Sequence, residues 1–149
     1  MRVDVEEPHL TAWRSLLNAH ATLVGKIEQA LVDASLPPLA WYDVLWAIRR
    51  APERRVRMAE LADSLTISRG GLTKLFDRLE SVGLVGREPA ADDGRSVFAV
   101  ITPEGSRMLR RMWPVYARVL REAFVSTVSP REAKTIAAAL RRAAEACTR

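Results

Sequence analysis

Residues 68–84 read SRGGLTKLFDRLESVGL and form the most consistent helix pattern in the chain. Apolar side chains recur there at spacings of three and four, which places one stripe along a helix: Leu72, Leu75, Phe76, Leu79 and Val82. Ser68 can cap the start with its hydroxyl oxygen, and Gly83 suits the left-handed residue that commonly follows a helix end. The sequence therefore predicts an amphipathic helix with both ends defined.

The opposite face of this helix is polar and carries three basic side chains; it presents Arg69, Gly70, Thr73, Lys74, Asp77 and Arg78. Lys74 and Arg78 lie one turn apart, where like charges repel, so a negative partner would stabilise them. Gly70 and Gly71 lower helix propensity by about 1 kcal/mol per residue relative to Ala, but they allow another group to approach the backbone closely. The face fits a DNA recognition helix, and it also fits an ordinary solvated surface helix.

The flanking segments favour the DNA interpretation. Residues 56–65 (VRMAELADSL) predict a short helix, and two short helices joined by a tight turn outline a helix-turn-helix. Residues 84–87 (LVGR) and 97–101 (VFAVI) predict two β-strands around the polar run PAADDGRS. A helix-turn-helix followed by a β-hairpin is a winged helix.

Arg95 lies in the predicted hairpin turn beside Asp92 and Asp93. An arginine on a thin protrusion fits the narrow minor groove of DNA, whose negative potential attracts cations, and Asp93 would then orient it. An ordinary salt bridge within the hairpin explains the same residues.

Two further helices are predicted before the helix-turn-helix. Residues 10–31 carry a broad apolar stripe in which His20 occupies an apolar position, and Pro37 and Pro38 separate this helix from one at about 39–50. His20 is either a hydrogen-bonded core residue or a polar group in a ligand cavity. The aromatic residues concentrated in this first third are either core residues or a ligand cage.

Two helices are also predicted after the hairpin. Thr102-Pro103-Glu104 is a strong helix start, Pro114 is expected to kink the helix that follows, and Ser129 and Pro130 begin the last one. The first and last helices carry more apolar surface than a winged helix of roughly 60 residues can cover, which predicts a twofold dimer. Such a dimer sets two recognition helices about 34 Å apart and requires a pseudo-palindromic site.

Composition bounds the remaining possibilities. The 149 residues suit a single domain, and 48% apolar with 28% charged residues is typical of a globular protein. The net charge of +5 is concentrated between Arg49 and Arg111, where thirteen Arg and Lys stand against nine Asp and Glu. The N-terminus resembles no signal peptide, no apolar run could span a membrane, and Cys147 is the only cysteine. We therefore expect a cytoplasmic protein.

Nothing in the sequence suggests catalysis. It has no phosphate-binding glycine loop and no His and Cys residues at the spacing of metal ligands. It has no Ser or Cys nucleophile to which a histidine base can be assigned. We expect no enzymatic activity, no catalytic residue, no cofactor and no bound metal.

The chain resembles the multiple-antibiotic-resistance regulator (MarR) family of bacterial winged-helix transcription factors over about residues 13–147. The resemblance is carried by LAWYDVLWAI (39–48), RMAELADSLTISRGGLTKLFDRLESVGLVGRE (57–88), DDGRSVFAVITPEG (92–105) and the two-helix tail. It implies a mainly α, six-helix α+β fold over residues 1–149, with a winged helix-turn-helix lobe at 38–102 and a dimerisation region at 10–36 and 103–148. The homodimer would bind a pseudo-palindromic operator in double-stranded DNA.

The resemblance also implies site residues. The DNA-reading positions match Ser68, Arg69, Gly70, Thr73, Lys74 and Arg78, and the wing arginine matches Arg95. The family wing often reads Asp-Arg-Arg, whereas this chain has Asp93-Gly94-Arg95. Members are commonly repressors released by a small aromatic, often phenolic, ligand, and candidates for lining its pocket are Trp13, His20, Trp41, Trp46, Trp113 and Tyr116.

A second interpretation belongs to another class. The tryptophan-rich first third and the weak net charge of residues 68–84 also fit a helical dimer that binds a small molecule or a partner protein, with the winged helix as its interaction surface.

Overall fold

A computed structural model describes residues 4–65, 67–91 and 96–148. These residues form six α-helices and three β-strands: α1 (Glu7–Asp33), α2 (Leu39–Arg50), β1 (Arg55–Arg57), α3 (Met58–Ser64), α4 (Arg69–Ser81), β2 (Val85–Pro89), β3 (Val97–Ile101), α5 (Pro103–Leu120) and α6 (Pro130–Cys147). A 3₁₀ turn (Pro52–Arg54) precedes β1, and a π-helical turn (Arg121–Val125) follows α5. The predicted six-helix, mainly α fold class is confirmed.

The strands form an antiparallel sheet in the order β1-β3-β2. Val85 pairs with Ile101 at one end of the β2–β3 hairpin, and Pro89 pairs with Val97 at the other. The prediction of a helix over 56–65 was wrong at its start, because Arg55–Arg57 extend as β1 along β3 and α3 begins only at Met58. The wing sheet therefore has one strand more than the predicted hairpin.

The residues Ile27–Tyr116 form one compact unit, and the other described residues form a second. The first unit contains the winged helix, whose fully buried side chains include Phe76, Leu45, Ile48, Leu61, Leu72 and Leu79. Leu72, Phe76 and Leu79 of the predicted apolar stripe are buried and Leu75 is half-buried, but Val82 is 56% exposed. That prediction was wrong because α4 ends at Ser81 and Val82 already belongs to the turn.

The second unit contains the N-terminal part of α1, the end of α5 with the π-helical turn, and α6. Ser129 and Glu132 form a reciprocal capping box at the start of α6, as the sequence predicted for Ser129. Hydrogen bonds from Ser129 lower the pKa of the Glu132 carboxyl. An apolar groove of about 760 Å³ runs between α1 and α6, and it is lined in part by Leu16, Leu23, Phe124, Ile136 and Leu140.

Within the part of the chain that the structure describes, no helix is long and apolar enough to cross a lipid bilayer.

Candidate DNA interface

The ends of α4 are fixed by the residues that the sequence singled out. The Gly71 amide donates to the Ser68 hydroxyl oxygen at 3.0 Å, which is the expected N-cap. At the other end Gly83 has φ +78°, and the Leu84 amide donates to the Leu79 carbonyl at 3.0 Å. The helix is therefore held at a defined length, with its polar face turned away from the core.

The two glycines of the first turn differ in their surroundings. A Cβ at Gly71 would lie 3.0 Å from the Ser68 hydroxyl oxygen and 3.3 Å from Ile67, so glycine leaves room for the cap. A Cβ at Gly70 would meet nothing within 4 Å. The backbone at Gly70 is consequently open to an approaching group from outside the protein.

The predicted DNA-reading side chains lie together on the exposed face of α4. Thr73 donates its hydroxyl to the Arg69 carbonyl at 2.9 Å, which leaves its methyl group and an acceptor lone pair for other contacts. We call Arg69, Lys74 and Arg78 the basic face; among the described residues none of the three forms an ion pair. Their charges are available to a partner.

Arg87 on β2 neutralises the two acidic residues of α4. Its guanidinium contacts Asp77 at 2.7 Å, pairs with Glu80, and lies 4.8 Å from the centre of the Phe76 ring. Asp77 and Glu80 give residues 68–84 their weak net charge, and sequence reasoning missed their pairing with Arg87, which we call the clamp. A signal existed: Arg87 is two residues after the buried Val85, and alternate residues of a strand point to the same side.

The second predicted DNA contact is Arg95, in the turn between β2 and β3. Beyond the strands, the Ala90 amide donates to the Ser96 carbonyl at 2.9 Å, which continues the pairing towards the turn. The wing predictions for Arg95 and Asp93 fall on residues 92–95, outside the described residues, and stay predictions.

A further basic element lies on β1, which sequence reasoning did not find. The guanidinium carbons of Arg55 and Arg57 lie 4.7 and 5.1 Å from the centre of the Phe98 ring. Arg55 also pairs with Glu53 at 2.9 Å.

Three of the candidate pocket residues lie around a fourth ring, Tyr42. Its ring centre is 6.4 Å from Trp46, 6.2 Å from Trp113 and 5.2 Å from Tyr116. Burial raises the pKa of the Tyr116 phenol, and the Asp43 carboxylate raises it further. Burial also raises the pKa of the Tyr42 phenol, and the nearby Tyr116 and Asp43 raise it further. Both phenols therefore stay protonated at neutral pH.

The other three candidates are placed differently. Trp41 is half-buried and makes no ring contact within the described chain. Trp13 and His20 are exposed on the part of α1 that belongs to the second unit. No group of His, Cys, Asp and Glu that could hold a metal ion occurs among the described residues.

Comparison with known proteins decides the family. A protein-family model described as MarR family matches residues 35–96 of the sequence. The crystal structure of a MarR family transcriptional regulator from Streptomyces coelicolor, solved in complex with DNA, superposes with a TM-score of 0.87 at 31% identity, covering 98% of this chain and 91% of that one. The chain belongs to the MarR family.

Other MarR-family proteins agree. AbsC of Streptomyces coelicolor, a MarR family transcriptional regulator, has a TM-score of 0.87 at 26% identity, with 99% of each chain covered. The transcriptional regulator YkoM of Bacillus subtilis is 31% identical over 94 residues, which span 63% of this chain and 58% of that relative. Membership of this family of transcriptional regulators confirms the prediction that the chain is not an enzyme.

Proposed function

We propose that this MarR-family protein is a dimeric, sequence-specific DNA-binding repressor, which acts in the cytoplasm where bacterial DNA lies. The observation that carries the proposal is the basic face of α4: Arg69, Lys74 and Arg78 are exposed, and no described residue pairs with them, while Arg87 holds the nearby acids. Recognition helices place such cations against phosphates and base edges in the major groove. Arg95, with Asp93 beside it, is proposed to reach the minor groove.

The clamp weakens the case for the alternative function. The low net charge of residues 68–84 favoured a protein-interaction surface, but it assumed that Asp77 and Glu80 face the same partner as the cations. Both carboxylates are occupied by Arg87. The basic face can therefore meet DNA phosphates without two unpaired acids beside it.

Replacing Arg87 by Met tests the clamp. Met keeps an apolar side chain over Phe76 but releases Asp77 and Glu80, so we expect operator affinity to fall by about tenfold through repulsion of phosphates. In a protein that already carries Asp77→Asn and Glu80→Gln, the same substitution should change affinity by less than about twofold, which a double-mutant cycle measures by fluorescence anisotropy. Equal losses in both backgrounds would mean that Arg87 itself contacts DNA.

Replacing Gly70 by Ala separates helix stability from DNA binding. A Cβ at this position has free space, so α4 should gain up to about 1 kcal/mol of stability. If a phosphate approaches the amides of the first turn, the added methyl group obstructs it and affinity falls several-fold. Thermal unfolding and DNA titration should thus move in opposite directions, and unchanged affinity would remove Gly70 from the interface.

The proposed homodimer rests on the unit formed by α1 and α6. No residue of α6 is buried, and apolar side chains along the two helices are 40–57% exposed: Trp13, Leu17, Ile136 and Leu140. Apolar surface of this extent is normally covered by association. A second copy supplies the same surface and gives the twofold symmetry that a pseudo-palindromic operator needs.

Replacing Leu140 by Glu tests the dimer. A charge in the apolar groove should convert the protein to a monomer, as measured by light scattering after size-exclusion chromatography, and operator binding should weaken with it. Lys134→Glu, on an exposed position of the same helix that does not line the groove, is the control. A dimeric Leu140→Glu protein would place the interface elsewhere.

We further propose that a small aromatic ligand releases the DNA by binding at the rings around Tyr42. Trp46 and Trp113 are 46% and 48% exposed although both stack near Tyr42, so their faces are accessible to a flat molecule. The proposed ligand site does not rest on Trp41, Trp13 or His20, which stay predictions from the sequence. Titrating phenolic carboxylates into the DNA complex tests this proposal, and release that is unaffected by Tyr42→Leu would contradict it.

A further inference from the structure

A cleft of about 420 Å³ lies in the Ile27–Tyr116 unit, outside the interface described above. We call it the arginine cleft; its lining comes from the end of α2, the 3₁₀ turn, the end of β3 and the start of α5: Arg49, Arg54, Ile101, Thr102, Pro103, Ser106, Arg107 and Arg110. Four of these eight residues are arginines, and none is acidic.

The charges in the arginine cleft are largely uncompensated. Arg107 is paired with Glu104, whose Oε2 lies 3.1 Å from its Nε. Within residues 4–65, 67–91 and 96–148, Arg49, Arg54 and Arg110 have no ion-pair partner. Cations gathered from three separate elements repel one another, and a shared anion would turn this repulsion into attraction.

The backbone that delivers Arg54 is unusual. Glu53 and Arg54 both have φ +56°, a left-handed conformation that non-glycine residues rarely adopt. Two such residues in succession occur in the turn that leads from α2 into β1. Unfavourable conformations of this kind are commonly retained where they position a functional side chain.

Hydrogen-bond donors complete the arginine cleft. The Thr102 hydroxyl is used internally, because it donates to the Gly83 carbonyl at 2.6 Å and accepts from the Gly105 amide. The Ser106 hydroxyl has no hydrogen-bond partner in the described structure, and the positive end of α5 lies beside it. The site thus offers guanidinium groups and the Ser106 hydroxyl to one ligand.

The position of the arginine cleft argues against a role in binding operator DNA. It adjoins Ile101 at the end of β3, whereas the wing turn precedes Val97 at the start of that strand. Four residue steps of extended chain separate these two ends by about 13 Å. The cleft therefore opens at the end of the sheet opposite to the wing.

We propose that the arginine cleft binds a small molecule that carries at least two neighbouring oxyanions, either phosphates or carboxylates. Guanidinium groups bind both with paired hydrogen bonds, and the volume exceeds what a single phosphate needs while matching small-ligand pockets. This inference does not depend on DNA binding, so the two can fail separately.

Calorimetric titration of the DNA-free protein with pyrophosphate, and separately with citrate, tests the proposal at constant ionic strength. We expect saturable binding of at least one of the two with a dissociation constant below about 1 mM. The anion that binds more tightly identifies the ligand chemistry as phosphate or carboxylate. No saturable heat with either anion would overturn the proposal.

A matched pair of double variants locates the site. Arg49→Gln with Arg110→Gln removes two charges from the arginine cleft and should weaken anion binding by at least about tenfold. Arg50→Gln with Arg111→Gln makes the same charge change at the adjacent exposed positions, which do not line the cleft, and should leave binding within about twofold. Equal losses in both proteins would show non-specific charge attraction and overturn the assignment. A cleft variant that binds anions normally but loses operator affinity would also overturn the assignment, because the cleft would then be a DNA contact.

Discussion

Replacing Lys74 and Arg78 together by Ala is expected to lower operator affinity by about 100-fold at physiological salt. Both side chains are exposed on α4, and the structure shows no partner for either among the residues that it describes. Each charge-assisted contact to DNA contributes enough for about a tenfold loss, and the two positions lie on one face. The effect should appear in affinity and not in stability, because neither side chain is buried.

The salt dependence of binding distinguishes a phosphate contact from a base contact. If Lys74 contacts a phosphate, Lys74→Ala should weaken binding to all sequences and reduce the slope of log affinity against log salt by about one. If Arg78 reads a base, Arg78→Ala should instead cost discrimination at one position of the site. The Arg50→Gln and Arg111→Gln protein controls for net charge, and a loss of the same size in that control would refute both assignments.

Replacing Gly105 by Ala is expected to destabilise the winged-helix unit by about 3 kcal/mol or more. A Cβ at this position would lie 2.1 Å from the Leu84 carbonyl oxygen and 2.8 Å from the Ile101 side chain. The Leu84 carbonyl already accepts a hydrogen bond from the Thr102 amide at 3.1 Å, so the backbone cannot simply move away. Glycine is needed because α5 begins in direct contact with the turn after α4.

Urea denaturation at fixed protein concentration measures this effect, since the stability of the proposed dimer would depend on concentration. Gly25→Ala is the matched control, because Gly25 is also helical but a Cβ there would meet nothing within 4 Å. It should stabilise the protein by up to about 1 kcal/mol. A Gly105→Ala protein as stable as the unsubstituted chain would show that α5 does not dock in this way.

The elements with strong local signals could be predicted from the sequence. The helix α2 begins and ends where the proline and apolar pattern places it, and α4 has its cap at Ser68 and its left-handed residue at Gly83. β1 was missed because three residues carry no measurable periodicity, and pairing with β3 alone makes them a strand. Local patterns thus locate helices well, whereas short strands depend on distant partners.

In the candidate site, too, local features could be predicted from the sequence and contacts between distant residues could not. The residues on the polar face of α4 could be identified from helical spacing, but the clamp by Arg87 joins groups seven and ten residues apart across a turn. The central place of Tyr42 in the aromatic cluster was also missed, because it depends on how α2 packs against α5. The arginine cleft brings together residues more than fifty positions apart, and no spacing rule predicts it.

Selection of bound sequences from a random DNA library, followed by titration of the selected duplex, tests the central claim most directly. We expect an inverted repeat whose half-sites are centred about 10 base pairs apart, bound by two copies of the chain with a steep salt dependence. A scrambled duplex of the same composition should bind at least about 1,000-fold more weakly. Failure to enrich any sequence, or equal affinity for the selected and scrambled duplexes, would contradict the assignment of this protein as a sequence-specific regulator.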